Sequence, residues 1–552
     1  MTPIRIPSHL KTQSPTFCSF LGESARQFSW LRRQSGRRTG IPSALTRPAR
    51  AKIPAANSHL TAILCALGLS LASVLYIGCA TGTIPATGER RHVGFTWEQE
   101  REIGKQANRE VASLFGIYRD ARLERYVTEV GQRVLAQSHL RRPGAEEQFR
   151  NTPVTFGVLD SPIVNAMALP GGHIYVTRGM LAHLNSEDQL AVILAHEIGH
   201  ITARHAARRA WQEQIAQGLL LGGAILGQEV FGASAQQIVN LGGMAAQVIS
   251  LRYSREDELE ADKLGVEYSS LAGYDARKVI EFFRSLNRIT QKEGQGLPNF
   301  LSTHPNPGDR IQRIKDLAEL LPAPPARTAV TKNYYDAIEG IVLGEDPRQG
   351  FVERNVFYHP ELHFRFPVPP NFKVINQPAQ VMMVENQNRA ILGFSSTAEQ
   401  SLESAVSRFI SQSGLRVIET VGNRSHGLPS TAVVADGKMA NGQVIRLMAY
   451  FVQHRGRIYN FVGYTSPQAF ASFRNRFLQT MEGFSELDDP RILTRQPVRL
   501  ELQRATRSAP FQVLVPRSVP GEMRPDDLAI LNQLNLNDQV ERGQILKLPK
   551  IS

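Results

Sequence analysis

Residues 190–195, LAVILA, are apolar on every side of a helix and demand burial, yet they run straight into His196-Glu197-Ile198-Gly199-His200. Burying two histidines and a glutamate is expensive unless they are paired or ligated. The helix is expected to run from Ser186, a side-chain cap followed by Glu187 and Asp188 in the first turn, to about Arg209. Residues i and i+4 share a helical face about one turn apart, so the two imidazoles suit a single tetrahedral ion. Glu197 then projects toward the open position of that ion. A zinc held by neutral imidazoles makes bound water acidic near neutral pH, and a neighbouring glutamate can take the proton and pass it to a leaving amine.

The cysteines, Cys18, Cys65 and Cys79, all precede residue 80, so the body of the chain has no thiol for a disulfide or a Cys-ligated metal. A third ligand must be a histidine or a carboxylate. Residues 254–262, SREDELEAD, supply carboxylates on a second helix. There Glu258 and Asp262 stand one turn apart on one face, with small Ala261 and Gly265 beside them to let helices approach. Glu258 is placed to ligate, and Asp262 to accept the free N–H of a ligating histidine. On spacing alone the cluster reads equally well as a solvated acidic face, a description that suits Glu256, Asp257 and Glu260.

HEIGH followed by EDELEAD, and preceded by VNAMALPGGHIYVTRGML at 164–181, resembles the M48 family of metallopeptidases over roughly residues 95–320. The resemblance implies that His196, His200 and Glu258 bind Zn2+, that Glu197 is the base and that Asp262 steadies a ligand histidine. It extends to Thr303-His304-Pro305-Asn306-Pro307-Gly308-Asp309-Arg310. There it implies that His304 and Arg310 lie at the metal, either stabilising an oxyanion or occupying the water site. His173, His183, His205 and His363 have no partner at ligand spacing and are read as surface or satisfied histidines. Arg204 and Arg208 are read as a solvated basic edge.

The formal charge of +13 does not point to nucleic acid, because residues 1–60 hold ten Lys/Arg against Glu23 alone and thereby account for nine of those charges. Residues 1–59 are expected to be a basic leader or an over-extended gene start. Residues 60–78, LTAILCALGLSLASVLYIG, followed by Cys79-Ala80, have the order of a secretory signal, and the junction resembles a bacterial lipobox with Cys79 lipidated. A membrane-spanning helix is the plainer alternative. An Arg-rich, acid-poor leader also resembles a mitochondrial transit peptide.

The expected class is α+β: a mostly helical, zincin-type metallopeptidase domain with a small edge sheet over 80–322, then an α+β domain over 326–485, then a LysM-like module over 490–552. PAPP at 322–325 marks the first boundary. Strands are expected at 154–160 and 173–179, and an extended peptide substrate could pair with one of them. GLLLGGAILG at 218–227 is too short to span a bilayer and reads as core or as a substrate-facing lip. The resemblance is nearest the periplasmic, outer-membrane branch of proteases and chaperones. It implies unfolded or misassembled envelope proteins as substrates, and outer-membrane assembly machinery or peptidoglycan as partners. Two rivals are an envelope chaperone or scaffold with structural zinc and a mitochondrial inner-membrane quality-control protease.

Overall fold

The computed structural model describes residues 81–210, 212, 253–293, 300, 304, 307–321, 334–413, 415–438, 443–516, 519–520 and 523–551. The expected leader, Cys79 and the apolar run 218–227 lie outside the described residues. Among the described residues no helix is long and apolar enough to cross a membrane.

The first domain opens with α1 (Trp97–Phe115), started by a Thr96–Gln99 capping box, and α2 (Ala121–Ala136), capped by Asp120. Leu123, Tyr126, Val127, Val130 and Val134 recur at helical spacing on α2 and are all buried. Three strands follow, β1 (Thr155–Leu159), β2 (Ala166–Leu169) and β3 (His173–Thr177), ordered β1-β3-β2, with β1 parallel and β2 antiparallel to β3. The stretch between the two expected strands is thus itself partly a strand, Ala166–Leu169. Gly171 and Gly172, at φ +75° and +114°, make the tight return that lets it pair.

Gly104 is what seats α1 on this hairpin, since a Cβ there would fall 1.8 Å from the Pro170 carbonyl oxygen. In an open helix Gly→Ala gains up to about 1 kcal/mol. Here the sign reverses, and Gly104→Ala is expected to cost about 1–3 kcal/mol through backbone displacement, measurable as a lower midpoint in denaturant.

After α3 (Arg178–His183) comes α4 (Glu187–Thr202), capped by Ser186 as expected, with residues 189 to 202 all buried. It ends well before Arg209. Arg204 turns left-handed at φ 56°, and helix restarts at His205. Nor are Arg204 and Arg208 a solvated edge. Arg204 is buried, ion-paired with Glu100 and donating to the Thr83 and Phe95 carbonyls, while Arg208 donates to Asp257. A buried guanidinium that satisfies three acceptors with four hydrogen bonds accounts for the unusual backbone.

Then follow α5 (Arg255–Leu271), α6 (Val279–Glu293), α7 (Pro307–Leu320) and α8 (Tyr334–Ile338). The close packing of α4 on α5 is set by glycines. A Cβ on Gly199 would lie 3.1 Å from Ala261 O, and one on Gly265 would lie 3.1 Å from His196 N. Asp257 is buried and completes the Ser254 capping box of α5, so it is not part of a solvated face.

The second domain is built on a seven-stranded antiparallel sheet running, in order, through Arg416–Ser425, Leu428–Lys438, Val444–His454, Arg457–Thr465, Ala390–Thr397, Gln380–Glu385 and Phe372–Gln377. Alternate residues face opposite sides. Met448, Tyr450 and Val452 meet helix Phe470–Glu482 and an aromatic core, whereas Leu447, Ala449 and Phe451 meet helix Leu402–Ser413. The mixture of helices and sheets agrees with the α+β expectation.

The C-terminal stretch has the anticipated helix-turn-strand order, with Pro525–Leu531 followed by Ile545–Ile551, the latter antiparallel to Val498–Arg504. It has a small core of its own, with Ala505, Phe511, Val515, Leu528 and Leu546 in it, and it also packs against the first domain. Leu500, Ile530 and Leu531 join the core of the first domain, and buried Lys547 donates to the Ala182 and Leu184 carbonyls at 2.6 and 3.0 Å.

Candidate metal centre

The two histidines of α4 converge, with His196 Nε2 and His200 Nε2 3.0 Å apart. From α5, Glu258 reaches between them, its Oε2 3.5 Å from His196 Nε2 and its Oε1 3.4 Å from His200 Nε2. His304, just ahead of α7, adds a third imidazole: its Nδ1 lies 2.9 Å from Glu258 Oε1 and 3.2 Å from His196 Nε2. One donor atom from each of His196, His200, Glu258 and His304 falls within 4.8 Å of all the others, and all four residues are buried.

This donor set fits a metal ion. Glu258 Oε2 is buried with no hydrogen-bond partner, an arrangement that is costly unless something else takes the lone pairs. Burial holds His200 well below the usual imidazole range and brings His196 down to about 4, so both rings are neutral and able to ligate. Burial alone would raise Glu258, but His304, His200 and His196 prevail and keep its carboxyl well below the ordinary carboxylate range.

Glu197 is fully buried, with the Ala168 backbone amide acting on its carboxylate and His304 Nε2 3.6 Å from Oε1. Burial pushes Glu197 up to about 7, with His304 opposing. A carboxylate poised there can exchange a proton at neutral pH. Asp262 accepts from His196 Nδ1 at 3.1 Å and takes Arg310 Nε at 2.8 Å. Arg310 is buried too, lying over the Phe283 ring with its Nη2 3.4 Å from Glu258 Oε2.

The residues singled out in the sequence for the metal site, His196, Glu197, His200, Glu258, Asp262, His304 and Arg310, meet in this one place. Three others there carry no spacing signal. Tyr253 stacks on the His200 ring with centroids 3.9 Å apart, and Phe300 stacks on His304 at 4.4 Å. His205, read as a surface or satisfied histidine, is fully buried with Nδ1 2.9 Å from His200 Nδ1. Glu260, read as solvated, stands 3.2 Å from the other nitrogen of His205.

Comparison with known proteins agrees with this geometry. Residues 121–318 match Peptidase family M48. The putative beta-barrel assembly-enhancing protease of Vibrio cholerae is 30% identical over 47% of this chain and 52% of its own length, and the Yersinia pestis protein named beta-barrel assembly-enhancing protease is 27% identical over 46% and 51%. The mitochondrial metalloendopeptidase OMA1 of Arabidopsis thaliana is 37% identical over 27% of this chain and 28% of its own. The chain thus spans about half the length of the first two relatives and less of the third. The residues that converge here lie within or close beside the matched segment, and residues 121–318 of this chain are a domain of peptidase family M48.

Proposed function

We propose that this chain is a zinc-dependent endopeptidase that cleaves unfolded or misassembled proteins of the cell envelope. The observation that carries the reading is the convergence of His196, His200 and Glu258 beside a fully buried carboxylate, Glu197. His196, His200 and Glu258 would hold the metal, and zinc bound there supplies the Lewis acidity that lowers the pKa of water. Glu197 takes the proton of the attacking water and delivers it to the amine that leaves. Arg310 and His304 place positive charge or N–H donors where the carbonyl oxygen gains negative charge.

The edge of the small sheet suits an extended substrate. Leu169 turns its carbonyl inward to Gly172, so by strand alternation Ala166 and Ala168 point their amides and carbonyls away from β3. Among the described residues no strand pairs with that side of β2. A peptide added there would lie along α4, beside Glu197.

Removing the metal should abolish cleavage of an unfolded substrate such as casein. It should also destabilise the fold by about 4 kcal/mol relative to free zinc at 1,000 times its Kd, seen as a lower melting temperature in excess chelator and reversed by zinc. Casein cleavage unaffected by a strong chelator would dismiss the reading.

Periplasmic location with an acylated Cys79 belongs to the same proposal, in line with the envelope-protein names of the Vibrio and Yersinia relatives. The mitochondrial relative favours the inner-membrane alternative. Mass analysis of the mature N-terminus tests this, since a diacylglyceryl-Cys79 supports the first and excludes the second.

A further inference from the structure

We propose that Glu260 and His205 form a hydrogen-bonded relay that selects the tautomer of His200 and orients its ring, so that Nε2 presents a lone pair to the metal. The inference rests on the metal centre proposed above and adds two positioning residues to it.

The argument follows the protons. His200 Nε2 faces the cluster, while its other nitrogen, Nδ1, lies 2.9 Å from Nδ1 of His205. Two ring nitrogens at that separation need one proton between them, and which ring carries it decides whether His200 can ligate. If His205 donates, neutral His200 must hold its proton on Nε2 and offers the metal no lone pair. If His200 donates, its Nε2 is free.

Glu260 settles the choice. Its Oε2 lies 3.2 Å from His205 Nε2, and an ionised carboxylate accepts but does not donate. With His200 Nε2 turned to the metal, its proton sits on Nδ1 and His205 Nδ1 must accept it, which places the His205 proton on Nε2, where Glu260 receives it and Asp257 lies 3.7 Å away. The hydrogen bond from His205 keeps Glu260 below the ordinary carboxylate range, and Arg208, 3.7 Å away, reinforces its charge.

The same logic serves the other ligand imidazole more directly. His196 Nδ1 meets a carboxylate, Asp262, at 3.1 Å. His200 reaches its carboxylate through one intervening ring, so each ligand histidine ends on an acid that fixes its tautomer. The relay requires His205 to fold back onto α4, and the left-handed turn at Arg204, pinned by Glu100, allows this. Tyr253, stacked flat on His200, limits tilting of the ring. The relay limits rotation within the ring plane.

The test is zinc affinity by chelator competition on the purified protein, comparing the parent with His205→Ala, Glu260→Gln and the double variant. Gln keeps the size of Glu260 but can turn an NH2 donor toward His205 Nε2, which favours the wrong tautomer. Each single variant is expected to weaken zinc binding roughly 10- to 100-fold. The double variant should bind no more weakly than the weaker single, because one chain of hydrogen bonds is broken only once.

Affinities within twofold of the parent, or losses that multiply in the double variant, would overturn the relay. Metal-free melting temperatures guard against a folding artefact. Should His205→Ala melt early, Glu260→Gln decides alone, since this partly exposed and isosteric change leaves packing intact. A parent protein that binds no zinc would instead remove the metal centre itself.

Discussion

Glu197→Gln is expected to cut peptide hydrolysis by on the order of 10²–10⁴-fold while leaving zinc content at the parental level. The substitution preserves shape and volume at a fully buried position, so packing around α4 should survive. What it removes is proton exchange. Burial places the Glu197 carboxyl at about 7, with His304 holding it from going higher, and an amide has no comparable protonation step. Because His196, His200 and Glu258 are untouched, metal binding and melting temperature should stay as they were. Purified variant and parent, assayed side by side on casein with metal analysis of each, check both halves. Cleavage within tenfold of the parent would remove Glu197 from the reaction. Loss of cleavage with full suppression of substrate aggregation would reveal a separate holding activity.

The second large effect is on stability. Asp262→Ala should cost about 3–5 kcal/mol, because it strands a buried guanidinium. Arg310 is 2% exposed and places Nε 2.8 Å and Nη2 2.7 Å from Asp262 Oδ1. The same change removes the acceptor for His196 Nδ1, so zinc affinity should fall roughly 10- to 100-fold. Burial would raise Asp262, but Arg310 and His196 outweigh it and hold its carboxyl below the usual 3.8. Its pairing therefore stabilises the fold above that pH and is lost as pH falls through the lower folded value. Denaturant unfolding of the metal-free variant measures the first effect and chelator competition the second. A cost under about 1 kcal/mol would mean that Arg310 finds other partners.

Most of the site could be read from local pattern. The i,i+4 histidines on an all-apolar helix forced a buried polar cluster, and the spacing of Glu258 and Asp262 placed both on one face of the next helix. His304 and Arg310 came instead from a family resemblance, because a lone histidine in a loop has no periodicity to betray it. Three features escaped for the same physical reason. The turn at Arg204 depends on Glu100 and two distant carbonyls. The acidic residues Asp257 and Glu260 look solvated until Arg208 and His205 are brought to them. The C-terminal stretch has the local pattern of a small module, but Leu500, Ile530 and Lys547 are buried against the peptidase domain. Each is decided by a partner far away in the chain, which helix and strand periodicity does not encode.

The most direct test is anomalous diffraction at the zinc edge from zinc-loaded crystals of the parent. The expected result is one strong peak per chain, bonded to His196 Nε2, His200 Nε2 and a Glu258 oxygen. No peak there, or a peak at which Glu258 is turned away from both imidazoles, would contradict the account.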